Sequence, residues 1–109
     1  MKSVLKTNKE IADYIEENSS EFIDYNLILD YFINCKAILK EVNIRDLKFD
    51  NQDHHIKCKQ KQESYNNMNS EPPPIVIENN KIIDGHHRVR AAIYNQKEKI
   101  LAYCIEEIE

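Results

Sequence analysis

Lys81-Ile82-Ile83-Asp84-Gly85-His86-His87-Arg88 is the stretch on which the reading turns. It passes from an apolar run into an amphipathic one through the chain's single glycine. Glycine enters positive φ without steric cost and lets another group approach the backbone closely, and a tight strand-to-helix turn needs both. His86, His87 and Arg88 then fall in the first turn of a helix, where backbone N–H groups lack intrahelical acceptors and the dipole favours an anion. Arg88 adds a planar charged fork, and either histidine can donate a hydrogen bond or move a proton near neutral pH. Asp84, at the strand end, can orient a histidine, hold a metal ion or act as a base. The plainer alternative is a turn glycine with Asp84 as N-cap and solvated flank charges, since strand-Gly-helix junctions are common.

Outward from this turn, Pro72-Pro73-Pro74 forces an extended entry into a short buried strand, Ile75 to Glu78. Glu78-Asn79-Asn80-Lys81 is an Asn-rich turn that tolerates positive φ, which makes Ile75 to Glu78 and Lys81 to Asp84 a hairpin. The motif helix runs from about His86 to Gln96, with Val89, Ala92 and Ile93 facing inward. Lys99 to Ile105 alternates as a last strand, and Glu106-Glu107-Ile108-Glu109 reads as a frayed acidic tail.

Upstream, Thr7-Asn8-Lys9-Glu10 has the form of a capping box for a helix over 8–18. Ser20 is placed to cap a second helix with Phe22, Tyr25, Leu29 and Phe32 on one face, ending near Asn34. Lys36 to Val42 reads as a strand, and Asn43 to Leu47 as a single turn. A polar loop from Phe49 to Asp53 leads to a Lys- and Gln-rich surface helix from His55 to Met68.

A chain of 109 residues builds one core. With 15 basic and 19 acidic residues the net charge is −4, and the acidity sits in residues 1–54, which carry 7 basic and 11 acidic groups. That balance disfavours tight, sequence-independent nucleic-acid binding, which rests on Lys and Arg neutralising phosphates. Lys57, Lys59 and Lys61 alternate with Gln and Cys as a solvated helix face does. Cys35, Cys58 and Cys104 are odd in number and widely spaced, as reduced thiols of a cytoplasmic protein are. Phe22 to Leu39 carries too many polar residues to span a membrane, yet is apolar enough to suit a homodimer. His54, His55, Cys58, His86 and His87 lack the paired spacing of a metal site, and no metal ligand is assigned.

The run Pro72 to Ile77 followed by Lys81-Ile82-Ile83-Asp84-Gly85-His86-His87-Arg88-Val89-Arg90-Ala91-Ala92 resembles the ParB/sulfiredoxin superfamily, strongly over 72–92 and more weakly over 40–107. The resemblance implies an α+β fold: a mixed sheet of about four strands with a motif helix, over residues 36–109, preceded by a helical extension over 1–35. It implies a turn that holds nucleotide phosphates, with Gly85, His86, His87 and Arg88 as binding residues. Asp84, His86 and His87 are the candidate catalytic groups, joined by Asp53 as the counterpart of the acidic residue that serves as base in free-serine kinases. ATP, ADP or CTP with Mg²⁺ is the implied cofactor, and NTP hydrolysis or phosphoryl transfer the implied chemistry. His86 stands where sulfiredoxins carry their cysteine, and Gly-His-His-Arg replaces the Gly-Glu-Arg-Arg of partition clamps, so neither of those activities fits. The Asp-Gly-His-x-Arg form is closest to the free-serine kinases. Two alternatives stand beside this reading: a non-catalytic phage or plasmid module that inhibits a protein partner, and a nucleic-acid-binding or nuclease member of the family.

Overall fold

The computed structural model describes residues 2–19, 24–49, 66–67 and 72–108. Asp53, His54, His55, Cys58 and the expected surface helix from His55 lie outside these, apart from 66–67.

The elements follow in the order β1 (Val4–Leu5), α1 (Asn8–Asn18), α2 (Tyr25–Tyr31), β2 (Cys35–Asn43), a 3₁₀ turn (Ile44–Asp46), β3 (Ile75–Glu78), β4 (Lys81–Asp84), α3 (His86–Tyr94) and β5 (Lys99–Glu107). Five strands form one mixed sheet in the order β1-β2-β5-β3-β4, so the fold is α+β. β5 runs antiparallel to β2 and parallel to β3. The sheet has one strand more than expected, because Val4 and Leu5 pair with Ile38 and Ala37 along the outer edge of β2. Two residues carry too little pattern to announce a strand; the partner supplies it.

Thr7 caps α1 as expected, its hydroxyl accepting from the Glu10 amide at 3.2 Å. Glu10 reaches back one residue further than a capping box requires, accepting from the amide of Lys6 at 3.0 Å. α2 starts later than expected: its N-cap is Asp24, which accepts from the Leu27 amide at 3.2 Å. Ser20 and Phe22 lie outside the described residues. Asn79 and Asn80 turn the β3–β4 hairpin at φ 51° and 66°, the left-handed conformations that their type tolerates.

Two apolar clusters fill the two faces of the sheet. On one, Leu5, Ile11, Ile15 and Phe32 from the first 35 residues pack with Ala37, Val76 and Tyr103. On the other, Val89 and Ala92 of α3 pack with Ile75, Ile77, Ile82 and Ala102, joined by Ile44 and Leu47. Two expectations fail here. Ile93 is 49% exposed, because the buried arc of α3 comprises His87, Arg88, Val89, Ala91 and Ala92 and is centred on Arg88; at about 100° per residue Ile93 falls at its edge. As far as Ile108 the acidic tail is not frayed: Glu106 and Glu107 extend β5 opposite Lys36 and Cys35, and the Ile108 amide donates to the Asn34 carbonyl at 2.7 Å.

Candidate functional site

The hairpin, the prolines and α3 meet at Gly85. It is the N-cap of α3, at φ 109° and ψ 25°, and it offers no side-chain cap. A Cβ there would lie 2.5 Å from Ile75 Cγ2 and 2.9 Å from Ile75 Cβ. The glycine is therefore required twice, by backbone conformation and by the β3 side chain beneath it.

Asp84 is not the N-cap residue, which is Gly85. It ends β4 with 9% exposure, and its Oδ2 accepts from Arg88 Nη2 at 2.6 Å. Arg88 is only 2% exposed. Its Nη1 donates to the carbonyls of Pro73 at 2.9 Å and Pro74 at 2.8 Å. The sequence suggests an open fork; the structure turns that fork inward, onto a carboxylate and two backbone oxygens. Proline supplies the carbonyl but no N–H, so this extended segment presents acceptors with little donor competition. The guanidinium becomes the brace that fastens the proline entry of β3 to the start of α3. A signal for this was present, since an Asp and an Arg four apart can meet along one helical turn.

The N-terminal helix also reaches the brace, which no motif announces. Tyr14 Oη donates to the Pro74 carbonyl that Arg88 shares. Its ring meets Tyr103 edge to face, with centroids 4.8 Å apart, and Tyr103 Oη donates to the Lys2 carbonyl at 2.6 Å. Burial pushes the Tyr14 hydroxyl up to about 12, against the lowering influence of Arg88 beside it. A folded-state value above the unfolded value of about 10 means that the contribution to stability is complete below pH 10 and is lost as pH rises towards 12. Thermal midpoints measured from pH 9 to 12 are expected to fall less steeply for Tyr14→Phe than for the parent; equal slopes would remove Tyr14 from the alkaline transition.

Of the other candidate residues, His87 is buried and His86 half-buried in the first turn of α3. Asp53 lies outside the described residues; among those described, the structure brings together Asp84, Gly85, His86, His87 and Arg88. Among the described residues no group of three or more His, Cys, Asp or Glu is arranged to hold a metal ion. No helix among them is long and apolar enough to cross a membrane.

No family model matches the chain, and no curated protein matches it. Among solved structures, the C2221 form of a Pnob8-like ParB-N domain is similar, with 17% identity and a TM-score of 0.48. The match covers 68% of this chain and 31% of that one, so the chain spans about a third of the length of the structure it matches.

Proposed function

We propose that the chain is a ParB-like protein that binds a nucleotide by its phosphate at the N-terminus of α3. The observation that carries this reading is how α3 begins. Its N-cap is a glycine in the left-handed region, a residue with no side chain of its own to set over the backbone donors of the first turn. The positive end of the helix dipole adds to their attraction for an anion. Asp84, the one carboxylate of the turn, would repel a phosphate, but it is buried against Arg88. The resemblance of residues 72–92 to the ParB/sulfiredoxin superfamily supports the same reading, and the mixed α+β sheet accords with it.

Residue roles shift within this proposal. Backbone amides of the first turn face the ligand with the half-buried His86 beside them, its Nε2 shielded from solvent, while Arg88 acts beneath the turn, holding its shape. The turn offers no open carboxylate for Mg²⁺, because Asp84 is committed to Arg88; the cation belongs to the nucleotide. Phosphoryl transfer further needs a base and an acceptor pocket. Asp53, the base that the resemblance offers, lies outside the described residues, and NTP hydrolysis or phosphoryl transfer through it is a further step of the same proposal.

Calorimetric titration with ADP, ATP and CTP, each with Mg²⁺, and with pyrophosphate tests it. One-to-one binding of at least one of them is expected. His86→Glu places a negative charge in the first turn, where it favours the helix by about 0.3–1 kcal/mol but opposes an anionic ligand. That variant is expected to keep its thermal midpoint and weaken binding about tenfold or more, a loss of roughly 1.4 kcal/mol. Absence of heat with all four ligands would sink the proposal.

A further inference from the structure

Away from the Gly85 turn, β3 and β5 finish where β2 begins, and the end of α2 stands beside them. An open groove of about 1200 Å³ lies there, lined by Tyr31, Ile33, Cys35, Glu78, Glu107 and Ile108 among others. Its walls are open and mainly polar, with apolar side chains set among them: Tyr31 and Ile33 are each 64% exposed and Ile108 is 46% exposed. Single exposed apolar residues are ordinary, but three converging on one concavity are not a scatter. Leu27, one helical turn before Tyr31, is exposed as well.

The groove is held by its own bonds. Tyr31 Oη donates to Glu78 Oε1 at 3.1 Å. The Cys35 amide donates to the Phe32 carbonyl at 3.0 Å, and the amide of Ile108 to Asn34 at 2.7 Å. Its charge has one sign in excess, for Glu78, Glu106 and Glu107 line it against Lys36 alone. Lys40 partly offsets Glu106, at 3.9 Å. Glu78 and Glu107 both act on the Cys35 thiol, which burial first and these two carboxylates next push above its ordinary value. Both carboxylates line the groove.

We propose that this groove docks a basic, apolar-anchored segment of a partner protein. One or two Leu- or Ile-like side chains would sit among Tyr31, Ile33 and Ile108, with Lys or Arg against Glu78 and Glu107. Charge complementarity selects this occupant. Nucleic acid would bring phosphates to carboxylates, and a second copy would bring a chain of net charge −4 to an acidic surface.

Fluorescence anisotropy of a labelled twelve-residue peptide, with Lys and Leu at helical spacing, titrated with the full chain provides the test. Saturable one-to-one binding is expected, weakened about tenfold by Glu78→Gln with Glu107→Gln and similarly by Ile33→Ser. Glu16→Gln with Glu17→Gln removes equal charge from the exposed face of α1 and is expected to leave binding unchanged. Far-ultraviolet dichroism checks that each variant is folded. Three results would overturn the proposal: no saturable binding, equal loss in the α1 variant, or self-association in sedimentation that Ile33→Ser abolishes.

Discussion

Arg88→Ala is expected to lower the unfolding free energy by about 3–5 kcal/mol, the cost of removing one partner from a buried ion pair. The side chain is 2% exposed and makes three hydrogen bonds of 2.6 to 2.9 Å. Its loss leaves the Asp84 carboxylate without this cation and takes a donor from the Pro73 and Pro74 carbonyls. Urea denaturation followed by dichroism should show a lower midpoint with an unchanged slope. Arg88→Lys keeps the charge but not the fork, and recovers only part of the loss. Combining Arg88→Ala with Asp84→Ala should cost less than the two single losses added, since no buried charge is then stranded. A loss below about 1 kcal/mol for Arg88→Ala would mean that the guanidinium is not the brace described. Abolished nucleotide binding in Arg88→Ala would thus report an altered turn, which is why His86→Glu is the better probe of the ligand.

Gly85→Ala is expected to cost about 2–5 kcal/mol, from two sources of similar size. Holding a side chain at φ 109° costs roughly 1–2 kcal/mol. Pressing a Cβ to within 2.5 Å of a fully buried Ile75 adds about 1–3 kcal/mol, as overpacking does. Asparagine separates the two, because it tolerates positive φ but still carries the Cβ. Gly85→Asn should therefore be nearly as damaging as alanine; full tolerance of asparagine would show that backbone conformation alone demands the glycine. Ile75→Ala, which removes the nearest atom, should make Gly85→Ala less costly than it is in the parent chain, as a thermal double-mutant cycle would read.

What could be read from sequence was local. The β3–β4 hairpin stands between the residues expected because Asn79 and Asn80 dictate a turn from their own chemistry. Thr7 caps α1 for the same reason. The failures come from contacts between distant residues. β1 exists only through Ile38 and Ala37, and Glu106 and Glu107, which in isolation look like a solvated tail, are held in register by Lys36 and Cys35. At the site, the spacing of Asp84, Gly85 and Arg88 was legible, but the direction of Arg88 was not. An arginine is seldom buried unless paired; here Asp84 and two proline carbonyls lie in reach, and the pattern does not reveal that two of those acceptors precede β3. Tyr14 was invisible for the same reason: its contact with Pro74 crosses sixty residues.

The position of β5 has a kinetic side. It lies at the centre of the sheet, yet its antiparallel partner β2 pairs Asn43 with Lys99 and Cys35 with Glu107, so this pairing closes a loop of more than half the chain. The β3–β4 hairpin can close at once within its own few residues, whereas joining β5 to β2 costs the entropy of that long loop before the apolar contacts return it. The pairing of its two longest strands is accordingly expected to limit folding, in which case substitutions at Ala37 and Ala102, buried on them, slow refolding in stopped-flow as well as lowering stability.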